Sequence, residues 1–251
     1  MIKKTNHNRL LMPCLGVVFA LCLAVVPAAP VPAQTDGVER YLDFFNDIVF
    51  GSEFDPKLKN TVVAKWQGPV RIALKEKVTP EFRKTVVHNA RMLSVLSGLD
   101  IRVLEPGEKK PNLYMFFVPR REMTKVRVKG VSKTLLEKLS RTGGCYFLAF
   151  KKPPSRIILG VVVVNIERKD GGIKHCILEE LTQTLGLPND SNAFRPSLFS
   201  DKDKLLKPSR ADVILLKTLY HPRLKPGLPH KQALQVARGI IADLDRALPK
   251  R

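Results

Sequence analysis

A chain of 251 residues, 44% hydrophobic and without internal repeats or low-complexity segments, is long enough for one domain with a sizeable core, and repeat architectures are excluded. Its 43 Lys and Arg against 23 Asp and Glu give a formal net charge of +20, which points to anionic partners.

Residues 1–33 read as a secretory signal peptide. MIKK and Arg9 supply the positive start, LLMPCLGVVFALCLAVV the apolar run, and PAAPVPA a small, Pro-rich end, with cleavage expected after Ala33. Pro13 and the small-residue tail argue against a retained anchor, and neither Cys14 nor Cys22 lies in a lipobox-like context. No later stretch is apolar for long enough to span a bilayer. The expected location is periplasmic or secreted. There, nucleic acid is a poor partner, and an envelope protein, a peptide, an anionic polymer or lipid headgroups fit better.

Along the rest of the chain, Tyr41, Leu42, Phe45, Ile48 and Val49 recur at helical spacing until Asp55-Pro56 breaks the pattern. NTVVAKWQGPVRIAL reads as a strand interrupted at Gly68-Pro69. Thr79 as N-cap, Pro80 at the first position and Gly98 as the stop bound the clearest helix. DIRVLE and LYMFFVP are strands, the second apolar on both faces. RREMTKVRVKGVSK concentrates Arg120, Arg121, Lys125, Arg127, Lys129 and Lys133 against Glu122, with no aromatic to stack on bases. SKTLLEKLSR is helical, CYFLAFK and RIILGVVVVNIE are strands, and the segment from Ser191 to Arg210 is loop-rich. RADVILLKTLY is a helix, and the final helix carries Ala233, Ala237, Ile240, Ile241, Leu244 and Leu248 on one stripe. The order predicts an α/β or α+β single domain over 34–228, followed by a C-terminal amphipathic helix over 229–251.

Cys145 and Cys176 remain after export. An oxidising compartment and an even count make a disulfide the expectation, and the pair is not a CxxC redox motif.

The most informative stretch is HCILEELTQTLGLPND, His175–Asp190. On a helical wheel Ile173, Ile177, Leu181 and Leu185 share one side, and Cys176, Glu179, Glu180 and Gln183 share another, three and four apart. The zinc-hydrolase pattern H-E-x-x-H-x-x-G-x-x-H, laid on this helix, puts the general base at Glu180 and the turn glycine at Gly186. Its three ligand positions fall on Glu179, Gln183 and Asn189, with Asp190 adjacent. Amides are weak zinc ligands, so no zinc is expected. An oxygen-ligated divalent cation would draw on Glu179, Glu180 and Asp190, with Asn189 or Gln183 carbonyls. His175 is expected to be capped or solvated.

CILEELTQTLGLPNDS, SLFSDKDKLL and LYHPRLKPGL together resemble a bacterial exported family of unknown function, in which E-E-x-x-Q replaces the zinc motif. The resemblance spans roughly Asn60 to Leu228. It implies a zincin-like (metallopeptidase-like) fold, a mixed sheet packed on the motif helix, with a helical C-terminal part. In such a sheet a Cys145–Cys176 bridge ties the cleft-edge strand to the motif helix. Three readings follow: a non-catalytic, degenerate metallopeptidase that binds a protein, peptide or polymer; a hydrolase with altered chemistry in which Glu180 is the base; and a basic module for anionic envelope polymers. No Ser/His/Asp triad, phosphate loop or dinucleotide fingerprint competes with them.

Overall fold

The computed structural model describes residues 33–52, 59–141, 144–153, 155–169 and 171–249. Residues 1–32 of the expected signal peptide and the Asp55-Pro56 break lie outside them. The described residues form one compact unit.

Six strands make one sheet: β1 (Lys65–Trp66), β2 (Val70–Glu76), β3 (Ile101–Val103), β4 (Leu113–Val118), β5 (Cys145–Lys152) and β6 (Arg156–Asn165). Strand β6 runs parallel to β4 over Gly160–Asn165 and to β1 at Arg156 and Ile157. Strand β2 runs parallel to both β4 and β3. The exception is β5, which pairs antiparallel with β6 along its whole length. Parallel strands covered on both faces need apolar side chains in both directions, which explains the unbroken runs LYMFFV and IILGVVVV. Gly160 lets β4 and β6 close up, since a Cβ there would meet Leu113 at 3.0 Å.

Among the described residues six α-helices complete the fold: α1 (Ala33–Phe50), α2 (Pro80–Ser97), α3 (Lys133–Arg141), α4 (Gly172–Gln183), α5 (Arg210–Tyr220) and α6 (His230–Ala247), with a 3-10 turn over Arg120–Lys125. The α2 boundaries follow the local chemistry. The Thr79 hydroxyl accepts the Phe82 N–H at 3.2 Å, and Gly98 sits at φ 74° with its N–H on the Ser94 carbonyl. At α5, Ser209 and Asp212 form a capping box. Asp212 is buried and also accepts from Ser197 Oγ at 2.7 Å and the Leu198 N–H at 3.0 Å, so the cap holds the preceding loop.

Side-chain alternation along β6 splits the core in two. Val162 and Val164 face one side, where α1, α2, α4, α5 and α6 bury Phe45, Leu93, Leu181, Leu215 and Ile240. Val161 and Val163 face the other side, with Met123, Leu136, Leu139 and Tyr146 under the 3-10 turn and α3. The C-terminal helix belongs to the larger core. Arg210 ties it down, donating to Tyr41 Oη and Asp245 Oδ1 at 2.8 Å each and to the Asp245 carbonyl.

Candidate functional site

Helix α4 starts after Gly171, in the left-handed region at φ 76°, and is buried on nearly every side. Its last carbonyls accept from the turn that follows, Glu180 from the Thr184 N–H and Gln183 from the Gly186 and Leu187 N–H, whereas the carbonyls just past it draw donors from elsewhere. Trp66 Nε1 donates to the Thr184 carbonyl at 2.9 Å, and Tyr220 Oη donates to the Leu185 carbonyl at 2.7 Å. The chain then turns at Gly186, φ 109°, where a Cβ would lie 2.4 Å from the Ala64 carbonyl oxygen. Only glycine meets both demands. Beside this turn, buried Lys65 donates to the Leu219 and Leu224 carbonyls at 2.8 and 2.6 Å and lies over the Tyr220 ring. Burial, with Lys225 nearby, pulls its pKa down to about 8. The motif helix thus ends on a pedestal built from β1 and α5.

Three of the motif side chains are held by different partners. Glu179 turns back one helical turn to His175, with Nε2 3.3 Å from its carboxylate. The other ring nitrogen, Nδ1, lies 2.9 Å from the Leu205 carbonyl. Gln183 reaches forward, its Nε2 donating to Asp190 Oδ1 at 2.7 Å. Asn189 Nδ2 donates to the Asp47 carbonyl of α1 at 3.0 Å. Glu180 is buried. Glu179, Gln183 and Asn189 thus each engage a different protein group. Among the described residues, no three His, Cys, Asp or Glu side chains are grouped to hold a metal.

His175 departs from the sequence expectation. It is buried, 4% exposed, rather than solvated. Burial alone would lower its pKa, but the hydrogen bond and charge of Glu179, with the Leu205 carbonyl, outweigh this and raise it. The i, i+4 spacing to Glu179 is the sequence signal for this pair.

Cys145 and Cys176 form the expected disulfide, with Cα atoms 6.0 Å apart. It fastens the start of β5 to α4. Further along both elements, a cleft of about 170 Å³ lies between them, lined by Phe147, Ala149, Lys151, Gln183, Gly186 and Pro188 among others. A second hollow of about 640 Å³ includes Asp47, Asn60, Thr61, Asn189 and His230. Asn60 and Ser52 line both. Lys151 Nζ donates to Asn60 Oδ1 at 2.6 Å, and burial lowers its pKa. Asp47, Asn60 and Lys151 carry no motif. They reach the site by folding, from positions far from it in the chain.

A strand edge, an apolar floor and amide, hydroxyl and ammonium groups suit recognition of an extended chain. Residues 39–239 match the model of a family described as a protein of unknown function (DUF2927). Among curated proteins, none matches the chain.

Proposed function

Because the chain belongs to the DUF2927 family, whose function is unknown, we propose a role from the site itself: an exported, zincin-like module that binds an extended peptide segment in the cleft beside β5, without zinc chemistry. The observation that carries this is the pairing of the motif side chains. Glu179, Gln183 and Asn189 stand where a zinc motif has its ligands, and each is engaged by a protein partner, His175, Asp190 and the Asp47 carbonyl respectively. Such pairs stiffen a helix and its following loop; carboxylate and amide groups bound in this way are poor zinc ligands. Beside them, β5 pairs only with β6 among the described strands. An edge strand binds an extended peptide through main-chain hydrogen bonds, and Phe147, Ala149 and Pro188 would receive its apolar side chains.

The mixed sheet lying on the motif helix, with its antiparallel strand beside the cleft, supports the zincin-like reading. The Cys145–Cys176 bridge and the signal-like N-terminus support export to the periplasm or beyond. Among the described residues, no helix is long and apolar enough to cross a membrane.

The test is selection from a random peptide library, followed by affinity measurement on Ala149→Trp, which fills the cleft. Binding should be lost while the disulfide and the unfolding midpoint are kept. Binding unaffected by Ala149→Trp would move the site elsewhere. One metal per chain, lost in Glu179→Ala, or peptide hydrolysis lost in Glu180→Gln, would replace the binding role with an enzymatic one.

A further inference from the structure

The side of the sheet away from the motif helix carries a second feature that the peptide-binding reading does not use. Between Arg120 and Arg141 the chain has eight Lys and Arg against two Glu. All eight cations are exposed. The 3-10 turn and α3 pack on each other and on Val161, Val163 and Tyr146, so these charges belong to one layer. Of the two acids of the stretch, Glu122 lies 3.8 Å from Arg121 and Glu137 lies 3.5 Å from Lys133. At one end of the layer, Arg120, Arg121, Arg141 and Thr124 line a hollow of about 520 Å³, together with Glu137 and Glu167. Arg120 is held there from both ends. Its backbone N–H donates to Glu167 Oε2 at 3.2 Å and its guanidinium to the Arg141 carbonyl at 3.4 Å.

We infer that this layer is a second binding surface, for a linear polymer carrying repeated phosphate or carboxylate groups. Guanidinium forks match both oxyanions, and cations spread over this many positions need an anion that repeats. The surface has nothing suited to the two competing partners. Among the described residues, the exposed large apolar side chains are Val95, Ile158 and Leu206, all outside the layer, so it has no wedge to enter a bilayer. The stretch from Arg120 to Arg141 carries no aromatic ring on which bases stack. Glu137 and Glu167 make the hollow an end point for the polymer, and the loop from Lys125 to Lys129 its main track.

The test uses the whole chain with long-chain inorganic polyphosphate, polyglutamate, a single-stranded oligonucleotide and vesicles rich in phosphatidylglycerol. Polyphosphate or polyglutamate should bind, and the affinity should fall about a thousand-fold between about 50 and 200 mM salt, as counterion release at several contacts requires. Whichever of the two binds tighter identifies the oxyanion. The triple variant K125E/R127E/K129E should weaken this binding by about a hundred-fold, having lost three such contacts. The variant K202E/K204E/K207E changes the net charge equally, on an exposed loop elsewhere, and should bind as the parent does. Equal loss in both variants would reduce the effect to net charge and overturn the inference. Vesicle binding that exceeds polymer binding would assign the surface to lipid, and a marked preference for the oligonucleotide would assign it to nucleic acid. Salt-insensitive binding, or none to any polyanion, would also overturn it.

Discussion

The two faces of one sheet are built on different scales. On the motif side, five helices bury a large core and hold a helix whose polar residues are nearly all inside. On the other side, a short helix and a 3-10 turn cover a small cluster around Met123, Leu136 and Tyr146. Charge divides in the opposite sense. Gly172–Asp190 has three acids, Glu179, Glu180 and Asp190, against Lys174, whereas Arg120–Arg141 is strongly cationic. The deep side can keep Glu179, Gln183 and Asn189 at its centre because each is offered a protein partner. The thin side keeps its charges in water and needs only enough apolar contact to hold the layer in place.

Two leucines put this comparison to its strongest test. Leu181→Ala, in the large core, should cost about 4 kcal/mol, whereas Leu136→Ala, under the thin layer, should cost about 2 kcal/mol, because the smaller cluster can collapse around the gap. Equal losses in denaturant unfolding would break the distinction. Removing the bridge with Cys145→Ser and Cys176→Ser together should cost about 3–4 kcal/mol, given its sequence separation of 31 residues. Peptide affinity should fall with it while polyanion binding persists, so a parallel loss of both would mean that the faces are not independent. Gly186→Ala should cost about 3 kcal/mol through its backbone angle and the clash with Ala64, and a near-neutral result in thermal unfolding would contradict the pedestal.

The smallest effect concerns pH. The folded pKa of His175 is raised above its ordinary value of 6.5. Its pairing with Glu179 therefore stabilises fully below the unfolded pKa, and this contribution is lost as pH rises through the folded pKa. The parent should lose stability relative to His175→Gln as pH is taken upward through neutrality. A difference that stays constant with pH would mean that the pair does not titrate on unfolding.

Much of the fold was legible in the chain. Thr79, Pro80 and Gly98 bounded α2 because capping is decided within a few residues. The doubly apolar strands were legible because a buried parallel sheet leaves no polar alternation. The bridge was expected from cysteine count and compartment, and Cys145 and Cys176 form it. The Gly186 turn was recognisable because a sharp helix exit calls for glycine. The partners of Glu179, Gln183 and Asn189 were not legible, since a wheel gives direction along one helix and says nothing of neighbours. Leu205 and Asp47 lie 30 and 142 residues from the groups they engage, and no periodicity reports them.

Local chemistry in the sequence thus determined where elements begin and end, which strands are buried, and that the motif lies on a helix with a polar face and a glycine exit. Tertiary structure alone decided that the polar helix is buried, that its ligand-like positions pair off separately, and that the basic stretch lies on the opposite face of the sheet. Helix periodicity and capping act over a few residues, whereas hydrogen-bond partners and surface charge fields depend on which distant segments the core brings together.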